Sequence, residues 1–226
     1  MSRKISFAVD EFYHLYNRGV DKRVVFDNDS DYRRFLILLY LCNRSRPFQI
    51  DRLPEWRGSA SSEFIEVVFN EPSDRKIVAI GSYCLMPNHF HILVREIKEG
   101  GISEFMHRLS TAYTMYFNTS RERTGSLFQG RFKAEHVNND RHLKYLYSYI
   151  NLNPVKLIQT DWKEKGIKNL KRVREHLNSF PYSSYFDYTG KSRKLSQILS
   201  TTAFPLYFRN QSDFIAEVET WLNYEN

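Results

Sequence analysis

The segment CLMPNHFHILV, residues 84–94, places two histidines one residue apart at the start of an apolar run. On a β-strand, residues i and i+2 point to the same face of the sheet. His89 and His91 would therefore project side by side, while Phe90 points into the core. Two imidazoles placed in this way can share one divalent metal ion. The alternative is two histidines that only fill space on a sheet face, because His-x-His also occurs by chance.

Two histidines do not complete a metal site, and the segment YSYINLNPVK offers both an oxygen ligand and a reactive group. Tyr149 and Asn153 are four residues apart, so they share one face of a helix. Tyr145 lies one turn earlier on that face, whereas Tyr147 points elsewhere. If this face crosses the sheet at the histidines, an amide oxygen reaches the metal and a phenol lies beside it. The alternative is that the tyrosines only pack, with their hydroxyl groups at the surface.

Five segments together carry a family resemblance: YHLYNRG, YCLMPNHFHILV, TGSLFQGRFKAEHV, YLYSYINLNPVK and FPYSSY, in that order over about residues 13–185. They resemble the REP-associated tyrosine transposases, which are HUH nucleases related to the single-tyrosine insertion-sequence transposases. The resemblance implies that His89 and His91 bind a divalent metal ion, Mg²⁺ or Mn²⁺. It also implies that Asn153 is the third ligand and that Tyr149 is the nucleophile.

The resemblance further implies an activity on single-stranded or hairpin DNA, which would be cleaved and transferred through a covalent 5′-phosphotyrosine. One rival is a domesticated protein that binds hairpin DNA or RNA without cutting it. Another is a metal hydrolase that activates water, with Tyr149 merely structural. The family contains monomers and homodimers, so the tyrosine could serve its own histidines or those of a partner. The short link from Val137 to the helix that starts near residue 140 favours a tyrosine that serves the histidines of its own chain.

The donor set suits phosphodiester chemistry. Imidazole and amide oxygen are ligands that suit Mn²⁺ and tolerate Mg²⁺, and a bound ion can polarise and orient a phosphate. A phenol has a pKa of about 10, so it must lose its proton during attack. Lys156 and His142 are both near enough in sequence to assist. We also expect His89→Ala and His91→Ala to leave the fold largely intact, on the premise that the two side chains are exposed.

The composition fits an anionic partner: the formal net charge is +7 and aromatic residues make up 15% of the chain. Basic domains of this kind often bind nucleic acid. The candidate phosphate contacts are Arg18, Lys22, Arg23, Arg108, Arg121, Arg123, Arg131, Lys133 and Lys156. The candidate platforms for base stacking are Phe128, Tyr182 and Tyr185. For any one of them, solvated surface or core packing is the alternative.

The sequence also predicts where the protein resides. Its two cysteines, Cys42 and Cys84, both lie among apolar residues and are too few for a disulfide framework. No apolar run approaches the roughly 20 residues of a membrane span, and the first residues lack a signal-peptide core. We therefore expect a cytoplasmic protein with reduced thiols and no membrane partner.

Hydrophobic periodicity predicts the order β α β β β α β α. The predicted strands are 12–17, 63–70, 76–86, 89–96 and 132–137, and the predicted helices are 27–44, 100–120 and 140–153. The expected helix caps are Asp29 or Ser30, Asp140, and Ser212 in the C-terminal segment. Residues 45–62 are expected to form a loop, because Pro47, Pro54 and Gly58 interrupt regular secondary structure.

This order predicts an α+β fold, in which an antiparallel sheet is flanked by helices. The resemblance specifies it further as a ferredoxin-like HUH nuclease core, with the histidine pair on a central strand. We expect that core to cover residues 1–160, and a basic C-terminal extension at 161–226 to pack on or beside it. The extension should contain a roughly helical stretch at 161–177 and a closing amphipathic helix. We expect it to add a contact surface for DNA or protein.

Overall fold

The computed structural model describes residues 6–46, 62–70 and 75–223. Its centre is a four-stranded antiparallel sheet in the order β2-β3-β1-β4. The strands are β1 (Phe12–Arg18), β2 (Val78–Met86), β3 (His89–Glu96) and β4 (Lys133–Val137). The predicted α+β class is therefore confirmed, and β3 lies inside the sheet between β2 and β1.

Helices cover both faces of this sheet. They are α1 (Asp29–Leu41), α2 (Ser62–Asn70), α3 (Gly101–Ser120), α4 (Asp140–Asn151), α5 (Trp162–Lys165), α6 (Leu170–Ser179), α7 (Tyr185–Tyr188) and α8 (Gln211–Leu222). One hydrophobic core joins α1, α2 and α3 to the face that carries Phe90, Ile92 and Val94. A second core joins α4, α6, α7 and α8 to the face that carries Leu93. Because side chains alternate along a strand, the second face also carries the two histidines of β3.

Residues 63–70 form a helix, so their predicted assignment as a strand is wrong. Phe64 and Val68 are buried at helical i, i+4 spacing and Phe69 follows beside them, whereas Glu63 and Glu66 are exposed. The β-branched content of the segment suggested a strand, but tertiary burial of one helical face decided the structure. The sheet consequently has one strand fewer than predicted.

The predicted helix caps are also wrong, by one or two residues each. Side chains of Asn28, Asn139 and Asn210 accept from the backbone N–H groups of Asp31, His142 and Asp213. The expected caps, Asp29 or Ser30, Asp140 and Ser212, lie inside the first helical turns. An asparagine at the cap satisfies an N–H group that has no partner within the helix, and this leaves the following acidic residue to interact with the positive helix end.

Most of the chain after residue 160 packs over the histidine-bearing face, although Ile198 is buried in the first core. Helix α8 buries Phe214, Val218 and Leu222 in the second core, next to α4. The predicted helical stretch at 161–177 is divided into α5 and α6, because Gly166 adopts a positive φ of 67° that ends α5. Most of the predicted loop at 45–62 lies outside the described residues. Among those described, no helix is long and apolar enough to cross a membrane.

Candidate tyrosine and metal site

His89 and His91 project side by side from β3, as predicted. Their ring centroids lie 5.0 Å apart, with the ring planes nearly perpendicular. Phe90 between them points to the opposite face, where its ring contacts Phe35 and Phe128 in the first core. The pair is therefore held on a rigid central strand, which fixes the directions of both imidazoles.

The premise that both histidines are exposed is wrong for His91, which is only 6% exposed. Burial, followed by the charges of Arg18 and Lys156, lowers the pKa of His89 to about 4. Burial, together with neighbouring histidines and lysines, places the pKa of His91 well below its ordinary value. Both imidazoles are neutral at pH 7, which is the form that binds metal ions.

Each histidine has its Nδ1 atom engaged. Nδ1 of His89 lies 2.6 Å from Oδ1 of Asn88, whose own Nδ2 donates to the backbone oxygen of Lys22. Nδ1 of His91 lies 2.9 Å from Nε2 of His14. The Nε2 atoms of His89 and His91 therefore remain as the nitrogens that a metal ion could use.

His14 is a third imidazole of this site, and no short-range sequence pattern singles it out. Its ring stacks on that of His91, with centroids 5.0 Å apart, and burial lowers its pKa to about 4. His14 lies on β1, two residues from Tyr16, which is opposite His91 in the strand register. Only the pairing of β1 with β3 reveals this proximity, because the two histidines are 77 residues apart.

Tyr149 of α4 lies against the two stacked imidazoles. Its ring centroid is 5.6 Å from that of His91 and 5.8 Å from that of His14, at 80° to each. All three rings belong to the same chain. The predicted convergence of the phenol and the histidine face is therefore present without a second subunit.

The neighbouring tyrosines take other positions. Tyr145 contacts the ring of Tyr149 on one side and that of Trp221 on the other. Tyr147 is buried in the second core, against Tyr188 and other aromatic rings, which confirms that it points away. Of these three tyrosines, Tyr149 is the one whose ring contacts His91 and His14.

The environment of Tyr149 keeps its phenol protonated. Partial burial raises its pKa, and nearby Tyr145, Tyr16 and Glu135 act in the same direction. The ammonium group of Lys163 lies 4.3 Å from the ring centroid, within the range of a cation–π contact. Lys163 was not among the candidate residues, because α5 lies between the matching segments YLYSYINLNPVK and FPYSSY.

Asn153 presents an amide oxygen that fits a ligand. Helix α4 ends at Asn151, two residues before the predicted end, and a 3₁₀ turn (Asn153–Leu157) follows with Pro154 in its first positions. Asn153 is 2% exposed, and its Nδ2 donates to the backbone oxygen of Tyr149 at 2.8 Å. Within the described residues, its Oδ1 atom is buried with no hydrogen-bond partner. A buried amide oxygen of this kind is unfavourable unless something binds it.

The donor chemistry fits an ion completed by that amide. Throughout residues 6–46, 62–70 and 75–223, no group of three His, Cys, Asp or Glu side chains could hold a metal ion. Together, two imidazole Nε2 atoms and the Oδ1 atom of Asn153 would be a mixed nitrogen and oxygen donor set of the kind that suits Mn²⁺. Lys156, in the 3₁₀ turn with Asn153, lies near enough for its charge to lower the pKa of both histidines.

The candidate DNA contacts fall into two groups. Arg18, Lys22, Arg23, Arg131 and Lys133 are exposed, and Lys156 is half-buried. The others have partners within the protein: Arg108 pairs with Glu104, Arg121 with buried Asp31, and Arg123 with the side chain of Asn118. The exposed group is the better placed to contact phosphate.

Two of the three candidate stacking platforms are buried. Phe128 is packed against Phe90 in the first core, and Tyr185 is packed against Phe214 in the second. The ring of Tyr182 is half-buried and stacked on Tyr32, with centroids 3.9 Å apart. For Phe128 and Tyr185, core packing, the alternative to a stacking platform, is therefore the one observed.

Part of the sequence, and the fold, are similar to those of known proteins. Residues 51–153 match the family of IS200-like transposases, and this segment contains both histidines of β3, Tyr149 and Asn153. The fold is similar to that of a REP-associated tyrosine transposase whose structure was determined bound to a REP hairpin. That similarity has a TM-score of 0.50 at 12% identity, and covers 86% of this chain and 89% of that one.

No curated protein gives a significant match. The resemblance inferred from the five sequence segments is nevertheless confirmed by the family match and the shared fold. Residues 51–153 are similar to the IS200-like transposases.

Proposed function

We propose that this protein is a metal-dependent DNA nickase and strand transferase that acts through a covalent 5′-phosphotyrosine on Tyr149. The observation that carries the proposal is the contact of the Tyr149 ring with the imidazole of His91, at 5.6 Å between centroids. The buried amide oxygen of Asn153, in the turn that follows the tyrosine helix, supports it. His89, His91 and Asn153 would hold Mg²⁺ or Mn²⁺.

The metal ion would supply polarisation and orientation of the scissile phosphate. The Oη atom of Tyr149 attacks the phosphorus, and the bond from phosphorus to the 3′ oxygen breaks. The phenolic proton ends on the released 3′ oxygen, and the 5′ phosphate remains on the tyrosine. Because the phosphotyrosine keeps a phosphodiester linkage, a 3′-OH from another strand can reverse the step and complete transfer.

Two lysines are placed to favour this attack. Lys163 lies over the Tyr149 ring, where a cation stabilises the developing phenolate. Lys156 lies close enough to both histidines to affect their pKa, so it can attract the same phosphate. Among the groups that could assist the tyrosine, these cations are favoured over His142, whose ring contacts Tyr145 instead.

The substrate we propose is single-stranded or hairpin DNA, and the similar transposase structure, which is bound to a REP hairpin, supports this choice. Arg18 is opposite His89 in the register of β1 and β3, and Lys133 is opposite Tyr16 in that of β1 and β4. Exposed Lys22 contacts Asn88 through its backbone oxygen, next to the histidines. These cations surround the histidine end of the sheet, where they would contact phosphates on either side of the cleavage point.

The test is incubation of the purified protein with labelled single-stranded hairpin DNA and Mn²⁺, followed by a denaturing gel. We expect a covalent adduct with the native protein, none with Tyr149→Phe, and a retained adduct with Tyr145→Phe as the matched control. EDTA should abolish the adduct. Cleavage without an adduct would instead indicate a hydrolase, and binding alone would indicate a non-catalytic hairpin-binding protein. An adduct that persists in Tyr149→Phe would show that another residue is the nucleophile.

A further inference from the structure

His14 has no role in the mechanism described above, yet it is buried at the centre of the site. It stacks on His91 and meets the ring of Tyr149 edge to face. We propose that His14, oriented by Glu135, is a positioning residue that holds His91 with its proton on Nδ1 and its Nε2 open to a metal ion. The assignment of the ion rests on the proposed function, whereas the position of the proton does not.

The hydrogen bond between His14 and His91 has two possible directions. Nε2 of His14 and Nδ1 of His91 are 2.9 Å apart and buried. In a neutral imidazole, one nitrogen donates and the other accepts. If His91 donates from Nδ1, its Nε2 keeps a lone pair for a metal. If His14 donates, the proton of His91 is on Nε2, and that atom cannot bind an ion.

Glu135 provides the asymmetry that selects the first direction. It lies opposite His14 in the register of β1 and β4, with Oε2 3.9 Å from Nδ1 of His14. A carboxylate only accepts, so its attraction favours a proton on Nδ1 of His14. Nε2 of His14 is then the acceptor, and Nδ1 of His91 must donate to it.

Asn88 provides the same arrangement for His89. Its Oδ1 lies 2.6 Å from Nδ1 of His89, and its Nδ2 is occupied by the backbone oxygen of Lys22. Nδ1 of His89 must therefore donate, and its Nε2 is left open. Metal-binding histidines generally donate their second ring nitrogen to such a partner, which fixes the tautomer and the ring direction. Glu135 and His14 would thus do for His91 what Asn88 does for His89.

Three variants separate this role from simple packing. His14→Phe keeps an aromatic ring beneath Tyr149 but removes the acceptor nitrogen. Glu135→Gln keeps the side-chain size on an exposed position and removes the negative charge, so it carries the test if His14→Phe fails to fold. His136→Gln is the matched control, because His136 is exposed on the same strand and pairs with Glu11 instead.

The first measurement is long-range ¹H–¹⁵N NMR of the metal-free protein with ¹⁵N-labelled histidine, which distinguishes the two tautomers of each ring. We expect His91 to be protonated on Nδ1 in the native protein and in His136→Gln. In His14→Phe we expect the tautomer population of His91 to shift towards the Nε2-protonated form. In Glu135→Gln we expect a smaller shift in the same direction. A native His91 protonated on Nε2, or a tautomer unchanged in both site variants, would overturn the proposal.

The second measurement is Mn²⁺ binding alone, followed by the electron paramagnetic resonance signal of the free ion. We expect His14→Phe to weaken binding about 10- to 100-fold, as is typical when a partner of a metal-binding histidine is lost. If the tautomer shifts in His14→Phe but the Mn²⁺ affinity does not change, then His14 does not support metal binding by His91. If the native protein forms no DNA adduct, the proposed function fails while the tautomer result still decides the role of His14.

Discussion

The hydroxyl of Ser184 donates a hydrogen bond of 2.9 Å to Oδ1 of Asn151, joining the segment FPYSSY to the end of the tyrosine helix. The same hydroxyl oxygen accepts from the backbone N–H of Tyr83 on β2, at 3.1 Å. Nδ2 of Asn151 in turn donates to the hydroxyl of Ser82 on that strand. Asn151 is thereby fixed to the sheet, and Tyr149, two residues earlier, is fixed with it.

We expect Ser184→Ala to lower both stability and adduct formation. The substitution leaves buried Asn151 short of a partner, and an unsatisfied buried polar group costs about 1–3 kcal/mol. The position of α4 over the histidines should loosen as a consequence. Denaturant unfolding and the rate of adduct formation are the measurements.

Ser179→Ala is the matched control for Ser184→Ala. Ser179 is exposed at the end of α6, where its hydroxyl contacts only a backbone oxygen of its own helix. This variant should have the same denaturant midpoint of unfolding as the native protein. Equal midpoints for the two variants would mean that the link from Ser184 to Asn151 does not stabilise α4.

Asn153→Ala should separate metal binding from folding. Oδ1 of Asn153 has no hydrogen-bond partner in the described part of the chain, and its Nδ2 makes one bond, to the backbone oxygen of Tyr149. Asn153→Ala therefore deletes the proposed ligand together with a single hydrogen bond. Asn151→Ala, two residues away, should do the opposite, because Asn151 bonds Ser82, Ser184 and the backbone of Tyr147. Calorimetric titration with Mn²⁺ and thermal unfolding give the two readouts. Native Mn²⁺ affinity in Asn153→Ala would exclude it as a ligand.

The sequence allowed correct prediction of the features that depend on short-range periodicity. The i, i+2 pattern of β3 placed His89 and His91 together. The i, i+4 spacing of Tyr149 and Asn153 also placed them together, although α4 ends at Asn151 and Asn153 lies in the 3₁₀ turn that follows. Helix α2 was mistaken for a strand, because its β-branched residues have the composition of one while its buried positions follow a helical period.

Other features depend on contacts between distant segments, which one sequence does not show. The role of His14 follows from the register of β1 against β3, and its neighbour Glu135 follows from that of β1 against β4. The burial of Asn151 depends on a segment that returns to β2 more than 30 residues later. Sequence patterns were enough to propose the reacting groups, while the groups that would orient them required the tertiary structure.

The two thiols should be unreactive in the native protein. Burial raises the pKa of Cys42 to about 12, and it raises that of Cys84 well above its ordinary value. At pH 8 neither forms appreciable thiolate, which is the reactive species. We expect no reaction with a disulfide reagent at pH 8 until the protein is unfolded, when both thiols should titrate. Rapid titration of either thiol in native protein would contradict the burial of these side chains.

The same pKa shifts predict how stability depends on pH. The unfolded chain releases thiol protons from about pH 9, whereas the folded chain retains them. These thiols therefore add stability that is fully present below pH 9 and is lost as the pH rises from 9 towards 12. Denaturant midpoints measured between pH 7 and pH 10 should fall at the alkaline end. Cys42→Ala and Cys84→Ala together should make that fall shallower, and an unchanged slope would count against the prediction.

Arg121 and Arg131 should differ in what they do, although both are candidate phosphate contacts. Arg121 donates to the carboxylate of Asp31, which is fully buried on α1, so Arg121→Met leaves a buried charge without that partner. Loss of one partner of a buried pair costs about 3–5 kcal/mol, and since Arg121 is partly exposed we expect a smaller loss of stability. Exposed Arg131→Met should leave stability unchanged, weaken binding to hairpin DNA, and reduce the salt dependence of that binding by about one phosphate contact. Unfolding curves and DNA affinities at several salt concentrations test both expectations. If Arg131→Met lowers stability and Arg121→Met weakens DNA binding instead, the DNA surface lies elsewhere.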